Sequence, residues 1–285
     1  MRHQIKLIHI SDLHFAIDHM TVMDLARAEG LLSKRVLGWM NYRLNRKDSF
    51  PTAIRDRLSN YLQQSDWDYL IITGDFTNLS LKTELELARK WLEPIIQKGP
   101  VLLTPGNHDR YVPKALKPDL LKQYFGDCFP FASDSSKDED INYLEISDKA
   151  VLFEIDMAVP RKLFSSRGRI KPDLAAFQEL IKQKYENHTK IVIGHYPVIL
   201  PSEVSDIYLH QLADKIKMER FLNDMKIDIY LHGHIHKSWQ LKNASGHPVV
   251  HISSGGCFKN ESGPWAGFHQ ITLTDNTFKV QKIII

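Results

Sequence analysis

Short apolar runs alternate along the chain with longer stretches in which apolar residues recur at every third or fourth position. The short runs are typical of buried strands, and they cover 5–10, 69–73, 101–104, 141–146, 151–156, 190–193 and 227–231. Helical spacing of apolar residues predicts helices near 54–62, 81–95, 174–181 and 211–225. Beyond residue 238 the alternation is that of antiparallel strands. We therefore expect an α/β protein with a single domain over 1–285, into which a distinct segment is inserted at about 20–50.

Composition narrows the class of protein. Of the 285 residues, 43% are hydrophobic and 25% are charged, which excludes a disordered or fibrous chain. The 37 basic and 34 acidic residues leave a net charge of +3, too small to make nucleic acid the expected partner. Two distant cysteines, Cys128 and Cys257, suggest no disulfide framework, and no apolar run approaches the roughly 20 residues of a membrane span. These features predict a cytoplasmic protein.

Polar side chains that can bind metals follow the predicted strands, at the point where each strand ends. In α/β sheets the loops at the carboxyl ends of strands converge, and ligands bind there. Five such loops carry Asp12 and His14, Asp75 and Asn78, Asn107 with His108 and Asp109, His195, and finally His234 and His236. We therefore expect one composite site.

The residue types in these loops indicate a metal site. Carboxylates, imidazoles and one carboxamide, without thiolates, suit Mn²⁺, Fe or Zn²⁺. Asp75 could bridge two ions, because each carboxylate oxygen can bind its own metal. Two ions about 3.5–4 Å apart could hold a bridging hydroxide as nucleophile and polarise a phosphoryl group. With Asp12, Asp75 and the hydroxide counted, such a site keeps one positive charge, which favours an anionic phosphate ester, and a nearby histidine can protonate the leaving oxygen.

The same motifs resemble a known family. They read DLH at 12–14, GDFTN at 74–78, GNHD at 106–109, GHYP at 194–197 and GHIH at 233–236. In order and spacing they resemble the calcineurin-like metallophosphoesterases, and the resemblance spans nearly the whole chain. It implies a four-layer αββα sandwich of two mixed β-sheets flanked by helices. It also implies a metal-dependent hydrolase of phosphoric esters or anhydrides.

The resemblance also implies roles for individual residues. One metal would be held by Asp12, His14, Asp75 and His236, and the second by Asp75, Asn107, His195 and His234. His108 would be the general acid or a contact to the substrate phosphate, oriented by Asp109, while Asn78 would support the site from behind the ligands. The expected cofactors are two divalent ions, with Mn²⁺ favoured over Fe or Zn²⁺.

The inserted segment is basic and apolar at once. Residues 31–47 carry five Lys or Arg and no acid, together with leucines, a valine, a methionine and a tryptophan. A basic amphipathic helix of this kind can lie in a bilayer interface or form a lid beside the metals; packing on its own domain is the alternative. We assign Arg35, Trp39 and Arg43 to a substrate or membrane lid, with peripheral contact to the inner face of the membrane.

A lid that is both apolar and basic suits a substrate with acyl chains and a phosphate. Within the family this is similar to the enzymes that cleave the pyrophosphate of UDP-2,3-diacylglucosamine in lipid A biosynthesis. The better-known version has Arg where this chain has His108, so the chlamydial type, which keeps the His, is the closer match. A cyclic-nucleotide phosphodiesterase, another soluble phosphodiesterase or phosphatase, and a non-catalytic interaction module (as in one retromer subunit) are the alternatives. The sequence leaves the oligomeric state open.

Overall fold

Seven α-helices and twelve β-strands make up the regular structure of the described residues. The computed structural model describes residues 4–17, 21–30, 32–116, 119–129, 132–133, 141–243, 246–255, 263–275 and 277–285. Leu31 of the inserted segment and Cys257 lie outside them.

The helices and strands have the following bounds. The helices are α1 (Val22–Glu29), α2 (Lys34–Asn41), α3 (Thr52–Gln64), α4 (Lys82–Ile96), α5 (Leu120–Phe125), α6 (Leu174–Lys184) and α7 (Lys215–Asp224). The strands are β1 (Gln4–Ile10), β2 (Tyr69–Ile72), β3 (Val101–Leu103), β4 (Ala132–Ser133), β5 (Asn142–Ser147), β6 (Ala150–Glu154), β7 (Thr189–Ile193), β8 (Ile229–His232), β9 (Trp239–Lys242), β10 (Val250–Ser253), β11 (Phe268–Thr274) and β12 (Thr277–Ile283).

The strands form two mixed sheets. The first has the order β12-β11-β1-β2-β3, in which β1, β2 and β3 are parallel and β11 and β12 are antiparallel. The second has the order β4-β5-β6-β7-β8-β10-β9, with β6, β7, β8 and β10 parallel. Consequently the carboxyl ends of β1, β2 and β3 lie at one edge of the first sheet, and those of β7 and β8 at one edge of the second.

Alternation along the central strands divides the core into layers. In β2, Leu70 and Ile72 pack against helices, whereas Ile71 between them packs between the two sheets. The core between the sheets also contains Ile191 and Leu231 of the second sheet. Because successive side chains of a strand point to opposite faces, strands that are apolar throughout are buried on both sides.

Helices cover the two outer faces. The first sheet packs against α3, α4 and α5, and the second packs against α6 and α7. The order of layers is therefore helix, sheet, sheet, helix, and it confirms the predicted αββα sandwich. The short helix α5 and the two-residue strand β4 were not predicted, because neither is long enough to display a period. None of the described helices is at once long and apolar enough to cross a membrane.

The inserted segment is not one continuous α-helix. After α1 and α2, residues 42–46 form a π-helix and 47–49 a short 3₁₀ turn. A small apolar cluster of Leu25, Val36 and Leu79 attaches α1 and α2 to the loop that follows β2. Ser33 caps α2, since its side chain accepts a hydrogen bond from the Val36 amide.

Candidate metal centre

The loops that follow β1 and β2 are held together by their backbones. The Asp12 amide donates to the Gly74 carbonyl at 3.0 Å, and the His14 amide donates to the Asp75 carbonyl at 2.9 Å. The second sheet joins them where the His234 amide donates to the Asp12 carboxylate at 3.1 Å. Side chains that are distant in the sequence are thereby aimed at one point between the two sheets.

Backbone strain is concentrated in these loops. Nine non-glycine residues of the described chain have a positive φ, and five of them are predicted metal ligands, namely Asp12 (59°), His14 (45°), Asp75 (57°), His234 (75°) and His236 (57°). Such conformations cost about 1–3 kcal/mol each and are typical of functional sites. Gly74 (φ 93°) allows the close approach of the loops, because a Cβ there would lie 2.5 Å from the Gly106 nitrogen.

The first group of donor atoms comprises Asp12, His14, Asp75 and His236, whose ligand atoms lie within 4.8 Å of one another. The Nε2 atom of His14 is 3.8 Å from Oδ1 of Asp12 and 3.7 Å from Oδ2 of Asp75. The Nε2 atoms of His14 and His236 are only 2.9 Å apart. All four side chains offer electron pairs to a common centre, which is the arrangement that a cation requires.

The second group shares Asp75 with the first and adds His195, His234 and Asn107. Nε2 of His195 lies 3.3 Å from Oδ2 of Asp75 and 3.1 Å from Oδ1 of Asn107. That same amide oxygen is 3.0 Å from Nδ1 of His234. Nδ1 of His195 donates to the Thr73 carbonyl at 2.7 Å, so Nε2 is the ring nitrogen that faces the centre and would bind a metal once it has lost its proton.

Burial and the neighbouring charges shift the pKa values of the donors in different directions. Burial lowers the pKa of His14, His234 and His236 well below 6.5. Burial by itself would raise the pKa of Asp75, but the neighbouring imidazoles, first of all His195, hold it well below 3.8. Burial raises the pKa of Asp12 to about 7, and, although burial opposes it, the Asp75 carboxylate raises the pKa of His195 to about 9. Because metals bind neutral imidazoles and ionised carboxylates, a bound cation would displace the proton of His195 and any proton on Asp12. The donor set therefore fits two divalent cations that share Asp75.

His108 is oriented by a different residue from the one that the sequence predicted. Its Nδ1 donates to the backbone carbonyl of Asn78 at 2.6 Å. The Asp109 carboxylate instead accepts hydrogen bonds from the amides of Asp75 (2.8 Å), Thr77 (3.0 Å) and Gly106 (2.9 Å). The prediction for Asp109 was wrong in this respect: its carboxylate is buried among backbone donors and joins two loops. Asn78 supports the site through its main chain.

The family of the chain follows from a match to the model of the calcineurin-like phosphoesterases over residues 5–238. The chain belongs to this family. A curated relative, the uncharacterized metallophosphoesterase-like protein YydB of Bacillus subtilis (strain 168), is 25% identical over 257 residues. The match covers 73% of this chain and 50% of YydB, so the chain spans about half the length of that relative.

Solved structures share the fold of this calcineurin-like phosphoesterase at low identity. A dimetal phosphatase from Danio rerio is 12% identical with a TM-score of 0.64, covering 98% of this chain and 95% of its own. The purple acid phosphatase PPD1 of yellow lupin (Lupinus luteus) is also 12% identical, with a TM-score of 0.61 and coverages of 99% and 52%. GAP50, the anchor in the inner membrane complex of Plasmodium, is 11% identical with a TM-score of 0.56 and coverages of 99% and 84%.

A cleft of about 860 Å³ opens beside the two donor groups. Asp75, Asn107, His108, His234 and His236 line its floor. Its outer walls are largely apolar and come from the inserted segment and from two loops of the second sheet, with Leu37, Leu163, Phe164, Ile207 and Leu209. Several of these side chains are exposed; Phe164, for example, is 79% exposed.

The inserted segment does border this cleft, but through other side chains than the predicted ones. Arg35 is 6% exposed, and its guanidinium donates to the carbonyls of Leu79 (3.0 Å) and Ser80 (2.7 Å). Trp39 packs on the apolar cluster of α1 and α2, and the Arg43 guanidinium lies 5.6 Å from the Trp39 ring centre. The lid assignment of Arg35 was therefore wrong, and neither Trp39 nor Arg43 lines the cleft. The residues of the inserted segment that line the cleft are Lys34, Leu37, Gly38, Asn41 and Arg46.

Sequence reasoning missed three side chains around the centre. Phe50 packs its ring 4.5 Å from the His14 ring centre, and Tyr111 stacks on His108 at 5.5 Å. Asp206 places Oδ2 3.7 Å from Nε2 of His234. None of the three lies in a recognisable motif, so only the folded chain reveals them.

Proposed function

We propose that this chain is a dinuclear metal-dependent phosphohydrolase. The observation that carries the proposal is that Asp75 belongs to both groups of donor atoms. Asp12, His14 and His236 would complete one metal site, and Asn107, His195 and His234 would complete the other. When bound, such a pair of cations supplies Lewis acidity, which lowers the pKa of a water and withdraws charge from phosphoryl oxygens.

His108 is the residue that would handle the leaving group. Its Nδ1 proton is engaged by the Asn78 carbonyl, so Nε2 is the atom available to the substrate in the cleft. Nε2 can donate to a phosphate oxygen or deliver a proton to the departing oxygen only when the ring is an imidazolium. Burial lowers the pKa of His108 to about 4, so the negative charge of a bound substrate would have to stabilise that form. Mn²⁺ is the cation we favour, with Fe and Zn²⁺ as alternatives, because the donors are oxygens and imidazoles without sulfur.

The walls of the cleft favour a substrate that carries an apolar group beside its phosphate. Leu163, Phe164, Ile207 and Leu209 would bury that group while the phosphate sits over the metal ligands. A lipid-linked nucleotide sugar such as UDP-2,3-diacylglucosamine has this composition, and its reacting bond is a pyrophosphate. A peripheral contact of residues 31–47 with the inner face of the membrane, in a cytoplasmic protein, would fit the same substrate and remains a prediction.

The test is reconstitution with Mn²⁺ followed by hydrolysis of bis-p-nitrophenyl phosphate. We expect turnover by the native chain with about two metal equivalents bound, and a loss of at least about 100-fold for Asp75→Asn. Asp66→Asn is the matched control, because that carboxylate is 88% exposed on the surface. A native chain that binds metal but hydrolyses no phosphoester with Mn²⁺, Fe or Zn²⁺ would instead indicate a non-catalytic module.

A substrate panel then separates the candidates. UDP-2,3-diacylglucosamine in detergent and cyclic nucleotides without detergent are compared at equal enzyme concentration. Preference for the acylated substrate supports the apolar wall as a binding surface. Efficient cleavage of cyclic nucleotides, without binding to acylated substrate, would contradict it.

A further inference from the structure

Arg46 extends from the inserted segment into the cleft, directly beside the donor groups. Its Nη1 lies 3.5 Å from Nε2 of His108, and its guanidinium lies 5.3 Å from the centre of the Phe50 ring. Arg46 lines the same cleft as Asp75 and His236. The cation is therefore placed where a phosphate bound over the metal ligands would have its oxygens.

The π-helix explains why Arg46 points there. Lys34, Gly38 and Asn41 line the cleft from α2 at α-helical spacing, which would continue through residue 45. The wider turn over 42–46 adds one residue, so that Arg46, five positions after Asn41, is the next side chain in the cleft. Single π-turns of this kind are common at functional sites.

The guanidinium lacks a countercharge in the described part of the chain. Its Nη2 is buried without a hydrogen-bond partner among the described residues, and no described carboxylate forms an ion pair with it. Burial lowers the pKa of Arg46, while the more distant carboxylates Asp75 and Asp12 act in the opposite direction. A half-buried cation without a countercharge costs free energy unless the ligand itself brings a negative charge.

The other charged groups on the described cleft walls do not neutralise Arg46. Lys34 donates to the carbonyls of Arg161 and Ser165, so its ammonium is already engaged by backbone. Asp206 lies beside His234 and forms no ion pair with Arg46 among the described residues. The positive charge of Lys34 and the negative charge of Asp206 offset each other. The charge of Arg46 therefore remains to be balanced by the substrate.

The net charge of the centre with both metals bound indicates how much negative charge its substrate should carry. Two divalent ions, the carboxylates of Asp12 and Asp75 and one hydroxide leave a single positive charge, and Arg46 adds a second. A phosphodiester or a cyclic nucleotide brings one negative charge at neutral pH. A phosphomonoester, or a pyrophosphate linked at both ends, brings two.

We propose that Arg46 binds the non-bridging oxygens of the substrate phosphate and selects dianionic substrates, namely phosphomonoesters and doubly substituted pyrophosphates, over monoanionic phosphodiesters. This inference rests on the proposed function of the same centre. The planar guanidinium suits the role, since two of its N–H groups can bind two phosphate oxygens at once.

The experiment compares p-nitrophenyl phosphate with bis-p-nitrophenyl phosphate, which share a leaving group and differ in charge. For Arg46→Gln we expect kcat/KM to fall about 100-fold on the dianionic monoester and less than about 10-fold on the monoanionic diester. Arg57→Gln is the matched control, because it removes the same charge from an exposed position of α3 outside the cleft. It should change neither value more than about twofold.

A second measurement reports binding without turnover. We expect calorimetric titration of the Mn²⁺-loaded protein with inorganic phosphate to give a Kd about tenfold weaker for Arg46→Gln than for the native chain. Arg46→Lys, which keeps the charge but loses the two-point contact, should be intermediate in both assays. Metal content and melting temperature are measured on every variant.

The outcomes separate this inference from the function on which it rests. Equal losses on both esters, or unchanged phosphate affinity at full metal content, overturn the role of Arg46 while the phosphohydrolase remains. If the native chain hydrolyses neither ester with any of the three metals, the proposed function fails. In that case the phosphate titration still decides whether Arg46 binds the anion.

Discussion

At the scale of single residues, the centre depends on which atom of each side chain is engaged and which is free to act. His195 donates Nδ1 to the Thr73 carbonyl and presents Nε2 to the centre. His108 likewise donates Nδ1 to the Asn78 carbonyl and presents Nε2 to the cleft. A backbone carbonyl thus selects the tautomer of each ring, which prepares one for metal binding and the other for contact with substrate.

Replacing His108 by Ala tests its role toward the leaving group. We expect the rate on phenyl esters, whose leaving group needs a proton, to fall by about 10²–10⁴-fold, and the rate on p-nitrophenyl esters to change far less. The measurement is kcat/KM for the two esters of the same phosphate class at constant metal content. Equal effects on both esters would rule out proton delivery by this imidazole.

At the scale of secondary structure, helix α2 forms one wall of the cleft and depends on close packing at Gly38. A Cβ at this position would overlap the Tyr111 hydroxyl and lie 2.8 Å from Cδ2 of Leu79. Leu79 is buried, and the Tyr111 ring is confined between the Lys34 ammonium at 4.4 Å and the His108 ring at 5.5 Å. The helix can therefore approach the loop after β2 only without a side chain at this point.

Gly38→Ala should consequently displace α2 despite the better helix propensity of Ala. The propensity gain is about 1 kcal/mol, whereas overpacking costs about 1–3 kcal/mol. The difference is a fall of up to about 2 kcal/mol in the free energy of unfolding, measured in urea, and we expect a parallel loss of kcat/KM. Gly126→Ala is the control, since a Cβ there meets nothing within 4 Å. A Gly38→Ala protein as stable and active as the native one would show that α2 tolerates the overlap.

At the scale of the whole molecule, the candidate metal ligands come from both sheets. Asp12, Asp75 and Asn107 follow strands of the first sheet, and His195 and His234 follow strands of the second. Bound ions would therefore connect the two halves of the sandwich. The apolar core between the sheets joins the two halves independently of bound ions, so the chain should also fold without metal.

Metal binding should raise the stability of the fold, because the folded chain presents the assembled ligands and the unfolded chain does not. At a free Mn²⁺ concentration one hundred times Kd, the expected gain is about 2.7 kcal/mol for each site. Thermal unfolding with Mn²⁺ and after chelation measures it, and Asp75→Asn should lose most of the difference. An unchanged melting temperature, with release of the metal verified by elemental analysis, would contradict the sharing of ligands between the sheets.

Much of the architecture could be predicted from the sequence. Runs such as 70–72 are apolar at every position because strands covered on both faces have no polar side. The ligand candidates were found because each follows such a strand, where loops of a parallel sheet meet. That Asp75 could bridge two ions followed from the chemistry of its carboxylate, whereas the division of the other ligands between two sites came from a family resemblance. In the structure the two donor groups share Asp75.

By itself, then, the sequence determined the α/β class, the family and the residues that gather at the centre, because these depend on local periodicity and on motifs at strand ends. The four layers were an expectation from the family resemblance. Only the tertiary structure decided which face of the inserted segment meets the cleft. One additional residue in the π-helix brings Arg46 into the cleft, whereas Arg35 is held against the backbone of 79–80. The hydrogen-bond partners of Asp109 could not be predicted from the sequence either, because they are backbone amides of separate loops that converge only after folding.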